Sequence, residues 1–168
     1  MLWVTMLAAA AVMFLALFWL TPIGVPALKR LGGGKPSPDL TFGYRAEATY
    51  RLLDLYGESG IAHWKRLLLL DMMFPAVYGA LLALLAHKWS LWVESRPGLS
   101  VVAIASPLAA AACDYAENIL LLRVIAALPR TLPATVRVAS AFTRLKFIFC
   151  FATLLIPLAH WAGSALHR

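Results

Sequence analysis

Charge is what this chain has least of. Asp, Glu, Lys and Arg make up 14% of its 168 residues, where a soluble domain carries about a quarter. Only eight residues are acidic, and only two are cysteine. Two cysteines exclude a disulfide framework. Both Cys113 and Cys150 fall in apolar stretches and read as small fillers. Four histidines, His63, His87, His160 and His167, show no i, i+4 pair of the kind that holds a metal. They read as interfacial side chains, and no metal is expected. The apolar excess and scarce charge exclude a collagen-like fibre and intrinsic disorder. What the chain does have is apolar: 62% of its residues are hydrophobic, and the mean hydropathy is +0.78. That balance points to an integral membrane protein.

The expected fold class is all-α: a polytopic four-helix membrane bundle in one domain covering 1–168. A spanning helix needs about 20 residues. Leu2 to Leu20 is an uncharged run that fits a first span, retained and not cleaved as a signal peptide. Residues 67–86, 100–128 and 139–161 fit three more, with Pro75 and Pro107 as expected kinks and Pro157 near the end of the last. Small residues at Ala109 to Ala112 would let the third helix approach a neighbour closely. Trp3, Trp19, Trp64, Trp89 and Trp161 fall at span ends and suggest an aromatic belt.

Residues 21–66 are expected to form a polar loop carrying one short amphipathic helix, Tyr44 to Tyr56, lying on the membrane surface or against the other helices. In it Glu47 and Arg51 pair four apart, Ala48, Leu52 and Leu55 share a face, and Gly57 and Gly60 end it. Gly32-Gly33-Gly34-Lys35 resembles part of a phosphate loop, but Pro36 stands where Ser or Thr is needed, so it reads as a linker.

Topology follows from the basic residues. The 21–66 segment holds seven, Lys29, Arg30, Lys35, Arg45, Arg51, Lys65 and Arg66, and the last connection adds Arg130 and Arg137. The other side holds Lys88, Arg96 and Arg168. The positive-inside rule then places both connections in the cytoplasm and both termini outside, in a cell inner (plasma) membrane. The net charge of +7 is therefore a topology signal and an attraction to membrane lipids, with no nucleic-acid partner expected.

Six charged residues remain inside the spans: Asp71, Asp114, Glu117, Arg123, Arg144 and Lys146. Each costs about 2.5–3.5 kcal/mol near a bilayer centre unless paired or hydrated. Asp114, Glu117 and Asn118 recur at i, i+3 and i+4 and share one helix face. Arg123 is nearly half a turn away from Asp114 and is expected to snorkel elsewhere. Asp71 and Tyr78 are seven apart and share a face of the second span. Arg144 and Lys146 cannot both point inward. Lys146 shares a polar stripe with Thr143, Cys150 and Thr153, which favours it as the inward partner. The expected binding residues are thus Asp71, Tyr78, Asp114, Glu117, Asn118, Arg144 and Lys146. Of these, Asp71, Asp114, Glu117 and Lys146 are candidates for catalysis, with a carboxylate as base and a cation holding an anionic group.

The octapeptide DMMFPAVY at Asp71 to Tyr78, DYAEN at Asp114 to Asn118 and TRLK at Thr143 to Lys146 resemble small bacterial four-helix membrane proteins of uncharacterised function. The resemblance runs from Tyr44 to Trp161 and implies no activity, cofactor or catalytic residue. Three functions stay open. One is a buried polar site in the cytoplasmic half of the bundle, binding or processing a lipid headgroup or small amphiphile. The second is a non-catalytic subunit or assembly factor docking a protein partner through Tyr44–Tyr56. The third is a small transporter component. Simple locking of four helices by ion pairs would also account for the buried charges.

Overall fold

The computed structural model of the chain describes residues 2–21, 24–91 and 97–166. Arg96, His167 and Arg168, and the side chain of His160, lie outside the described residues. The fold is all-α, with no strand among the described residues. Helices α1 (Leu2–Leu20), α2 (Val25–Leu31), α3 (Ala46–Asp71), α4 (Phe74–Ser90), α5 (Pro97–Ala126) and α6 (Pro133–Leu166) follow in chain order, with a 3₁₀ turn at Pro38–Leu40 between α2 and α3. Four helical stretches, beginning at Trp3, Ala46, Gly98 and Pro133, are long and apolar enough to cross a membrane.

Local chemistry explains where the helices start and stop. Pro26, Pro75 and Pro133 all sit in first turns, where a missing N–H costs nothing. Lys29 and Arg30 occupy the last turn of α2, opposite in sign to the carbonyl end of its dipole. Pro107 and Pro157 lie inside α5 and α6.

The second span differs from the expectation of one helix kinked at Pro75. The chain instead stops α3 at Asp71, turns through Met72 and Met73, and restarts as α4. Proline clashes with the carbonyl four residues earlier, here that of Asp71, so the break falls ahead of Pro75. Asp71 and Tyr78 therefore do not share one continuous helix.

The 21–66 segment is the larger correction. It is mostly helical, and it folds back over one end of the bundle. Gly57, at φ 58° and ψ −172°, divides α3 into two limbs. This is a conformation essentially confined to glycine. Gly60 does not end the helix. The first limb buries Thr49, Leu52, Leu53 and Tyr56, while Ala48 and Leu55 are exposed. The buried face is thus rotated from the one expected, and it is spent within the chain. These residues join Leu28 of α2, Trp64 and Leu68 of the second α3 limb, and Leu121, Val124 and Val136 of α5 and α6 in one core. Trp64, expected in an interfacial belt, is 1% exposed.

Helix α5 packs along both α4 and α6, and α1 packs on α4. Gly79 of α4 meets α5 so closely that a Cβ there would lie 2.9 Å from the Cβ of Ala111. Ala110 and Ala111 of the small-residue run are buried accordingly. Elsewhere the outer faces are greasy: Val12, Met13, Leu84, Val101, Phe151 and Leu154 are all exposed.

Candidate functional site

The expected i, i+3, i+4 face of α5 turns inward as a unit. Asp114, Glu117 and Asn118 are all buried, Glu117 and Asn118 completely. Opposite them, one turn after Thr143 of α6, Lys146 extends its ammonium between the two carboxylates. Its Nζ lies 2.9 Å from Asp114 Oδ1 and 2.7 Å from Glu117 Oε2. These are short, charge-assisted contacts. Arg144, the other candidate cation, is exposed and turns to a different pocket, against Gly43. Arg123 is also exposed.

Neutral donors complete the cluster. The Tyr78 hydroxyl donates to Asp114 Oδ2 at 3.1 Å. The Asn118 amide donates to Asp71 Oδ2 at 2.8 Å, tying the end of α3 to α5. The hydroxyls of Tyr44, at 3.3 Å, and of Thr143 both donate to Glu117 Oε1. The Tyr44 backbone N–H in turn donates to Ser140 Oγ at 2.9 Å. Lone pairs on a buried carboxylate need such partners, and Glu117 has three donors on two oxygens. All seven expected binding residues are thus located: six in or beside one cluster, Arg144 outside it.

The folded-back segment adds members that sequence reasoning passed over. The 3₁₀ turn brings Asp39 over the cluster, its backbone carbonyl 3.5 Å from Lys146 Nζ. Trp64 Nε1 donates to Asp39 Oδ1 at 3.1 Å and holds the turn there. Burial pushes the Asp39 carboxyl above its ordinary value of 3.8, while Lys146, backbone and side-chain hydrogen bonds, and Trp64 pull it back part way. Tyr44 also lies above its ordinary value, through burial first and the Glu117 charge second. Ser-Pro-Asp at 37–39 is a turn signal, but nothing local shows that the turn enters the bundle.

A pH dependence follows for Asp39. An acid whose folded value is raised binds protons more readily folded than unfolded. Stability contributed by that difference is present below the raised value and is lost as pH rises through it. Thermal denaturation of wild type should therefore show a gain on acidification from neutral pH that is smaller in Asp39→Asn. Parallel pH profiles of the two proteins would refute this.

Beside the cluster lies a cavity of about 330 Å³. Its walls are apolar, from Phe14 and Phe18 of α1, Phe74 and Leu82 of α4, and Phe147 of α6. Its polar end is Asp39, Asp71, Tyr78, Asp114 and Lys146. The cavity occupies the gap left because α1 packs on α4 while α6 packs on α5. Formally, three carboxylates face this end against one ammonium, and that ammonium is already shared with Glu117. The polar end therefore favours hydrogen-bond donors or a cation over an anion. Cys150 lines the same wall, and Cys113 is buried nearby in sequence to Asp114.

Comparison with protein-family models, with curated proteins and with solved structures finds no match for this chain.

Proposed function

We propose that this chain is a multi-pass protein of a bacterial plasma membrane that binds an amphiphile inside its helical bundle, apolar tail along the cavity and polar head against Asp71, Asp114 and Lys146. The observation that carries this reading is the cavity itself. It has apolar walls, one charged end, and a size suited to a small ligand, in the range of about 300–1,000 Å³. The inside-out distribution of polarity supports a lipid surround. Large apolar residues cover the outside, whereas the charged residues Asp114 and Glu117 are buried. The basic residues of the 21–66 segment, with Arg130 and Arg137, support a cytoplasmic location for both connections and an outside location for the termini. The acidic balance of the polar end selects an amine- or hydroxyl-bearing head. Asp71, to which Asn118 is the one donor among the described residues, is the carboxylate best placed to accept from such a head or to act as a general base.

Native mass spectrometry of protein extracted from its own membranes tests this. Wild type should retain an amphiphile. Leu82→Trp, which fills the apolar wall, should lose it, and Asp71→Asn should weaken its retention. Equal adducts on all three proteins, or none on wild type, would remove the reading. The protein-docking alternative has less support, because the apolar side chains Leu52, Leu53 and Tyr56 of its proposed docking helix are already buried within the chain.

A further inference from the structure

A second concavity, separate from the apolar cavity, lies where the start of α3 meets the first three turns of α6. Its volume is about 380 Å³. Arg45, Arg137 and Arg144 line it, with Glu47 the sole acidic residue in its wall. Three guanidinium groups therefore face one carboxylate. Among the described residues the ion pairs involve only Lys146, so none of the three arginines is neutralised by Glu47. Like charges gathered without counter-charges repel one another, and a bound anion relieves that repulsion.

Two features make this more than a chance gathering of surface cations. Arg144 lies directly on the main chain at Gly43: a Cβ there would fall 2.6 Å from its Nε. Gly43 also has φ +125°, a conformation side chains avoid. The glycine thus makes room for the guanidinium and limits its freedom, which lowers the entropy lost on binding. No side chain caps the first turn of α3, so its amide donors remain available beside the arginines. The arginine fork matches phosphate oxygens in pairs.

We infer that Arg45, Arg137 and Arg144 form a binding site for a phosphate-bearing anion. Either a lipid phosphate headgroup or free phosphate supplies that chemistry. Tyr44 lines this pocket and also donates to Glu117, so the site abuts the buried cluster without sharing its charged groups. The inference does not depend on the amphiphile cavity.

The test measures binding by two probes. One is inorganic phosphate added to detergent-solubilised protein. The other is phosphatidylglycerol, introduced as a minor fraction in phosphatidylcholine nanodiscs and counted by native mass spectrometry. Arg137→Gln/Arg144→Gln should weaken binding about tenfold for each arginine removed, about 1.4 kcal/mol apiece. A control, Arg51→Gln/Arg66→Gln, removes two exposed arginines outside the pocket and should lose far less. Loss with both probes identifies a general phosphate site, and loss with phosphatidylglycerol alone identifies a lipid headgroup. Equal binding by wild type and the pocket variant, or an equal loss in the control, overturns the site in favour of diffuse surface charge. Because the substituted side chains are exposed, retained helical circular dichroism shows that a loss does not come from unfolding.

Discussion

Lys146→Met should cost about 3–5 kcal/mol of stability, because removing one partner of a buried ion pair leaves the other charge uncompensated. Here two charges are left. Among the described residues, Lys146 is the one cation within salt-bridge distance of Asp114 and Glu117, at 2.9 and 2.7 Å. The donors that remain, Tyr78 on Asp114 and Tyr44 and Thr143 on Glu117, are neutral. Two unit charges about 4 Å apart interact with roughly 4 kcal/mol at an effective dielectric of 20, so what was attraction becomes unscreened repulsion between carboxylates. Lys146→Arg keeps the charge but replaces a compact ammonium with a planar fork, and an intermediate loss is expected. The decisive comparison is Asp114→Asn/Glu117→Gln/Lys146→Met. Removing every charge together should restore most of the stability, since neutral replacement of a buried ion cluster is often tolerated. Denaturation in detergent would measure all three. A Lys146→Met protein within about 1 kcal/mol of wild type, an effect typical of exposed pairs, would show that water reaches the cluster freely. The triple variant also separates two roles. A protein that regains stability but no longer retains the amphiphile carries these charges for binding, not for locking helices.

How much of this was legible in the sequence depends on the range of the signal. Helical periodicity is local, so the shared face of Asp114, Glu117 and Asn118 was readable from their spacing, as was the polar stripe that carries Lys146. The all-α class and the four long apolar helices were readable for the same reason. Asp71 and Tyr78 were correctly expected near the charges but for an incomplete reason. Their sevenfold spacing assumed one helix, whereas the chain breaks at Met72 and Met73 and each reaches the cavity from its own helix. The 21–66 segment was misread because polarity and glycine there suggested exposure, while its apolar residues Leu28, Leu52, Leu53 and Trp64 are sparse and non-periodic across the segment. Their burial is a tertiary outcome: they cover the ends of α5 and α6. Tyr44 and Asp39 reach the cluster only through that fold-back. Trp64 sits in the sequence where a belt residue would sit, and its burial in the core with Tyr56 and its bond to Asp39 are tertiary outcomes.

Trp64→Ala should be comparably damaging, at about 3–5 kcal/mol for a large buried aromatic. The side chain is 1% exposed and packs with its ring edge-on to Tyr56, centroids 6.0 Å apart. It belongs to the core that fixes both α3 limbs to α5 and α6. It also lines the apolar-walled cavity and donates its indole N–H to Asp39. Packing and hydrogen bonding can be separated. Trp64→Phe keeps much of the volume and removes the donor, leaving the Asp39 carboxylate short of a partner, at a cost of about 1–3 kcal/mol. If the hydrogen bond is what holds the 3₁₀ turn over Lys146, Trp64→Phe and Asp39→Ala, which removes the acceptor, should be non-additive, as contacting residues are. The double variant would then be more stable than the sum of the single losses implies. Additive losses would mean the turn is held by packing alone, from the buried Ser37 and Pro38. A loss below about 1 kcal/mol for Trp64→Ala would go further and show that the fold-back does not cover the bundle as a packed layer, since truncating a large side chain in a packed core leaves a costly void. Asp39 would then no longer be held at the polar end of the cavity, and that end would consist of Asp71, Tyr78, Asp114 and Lys146 alone.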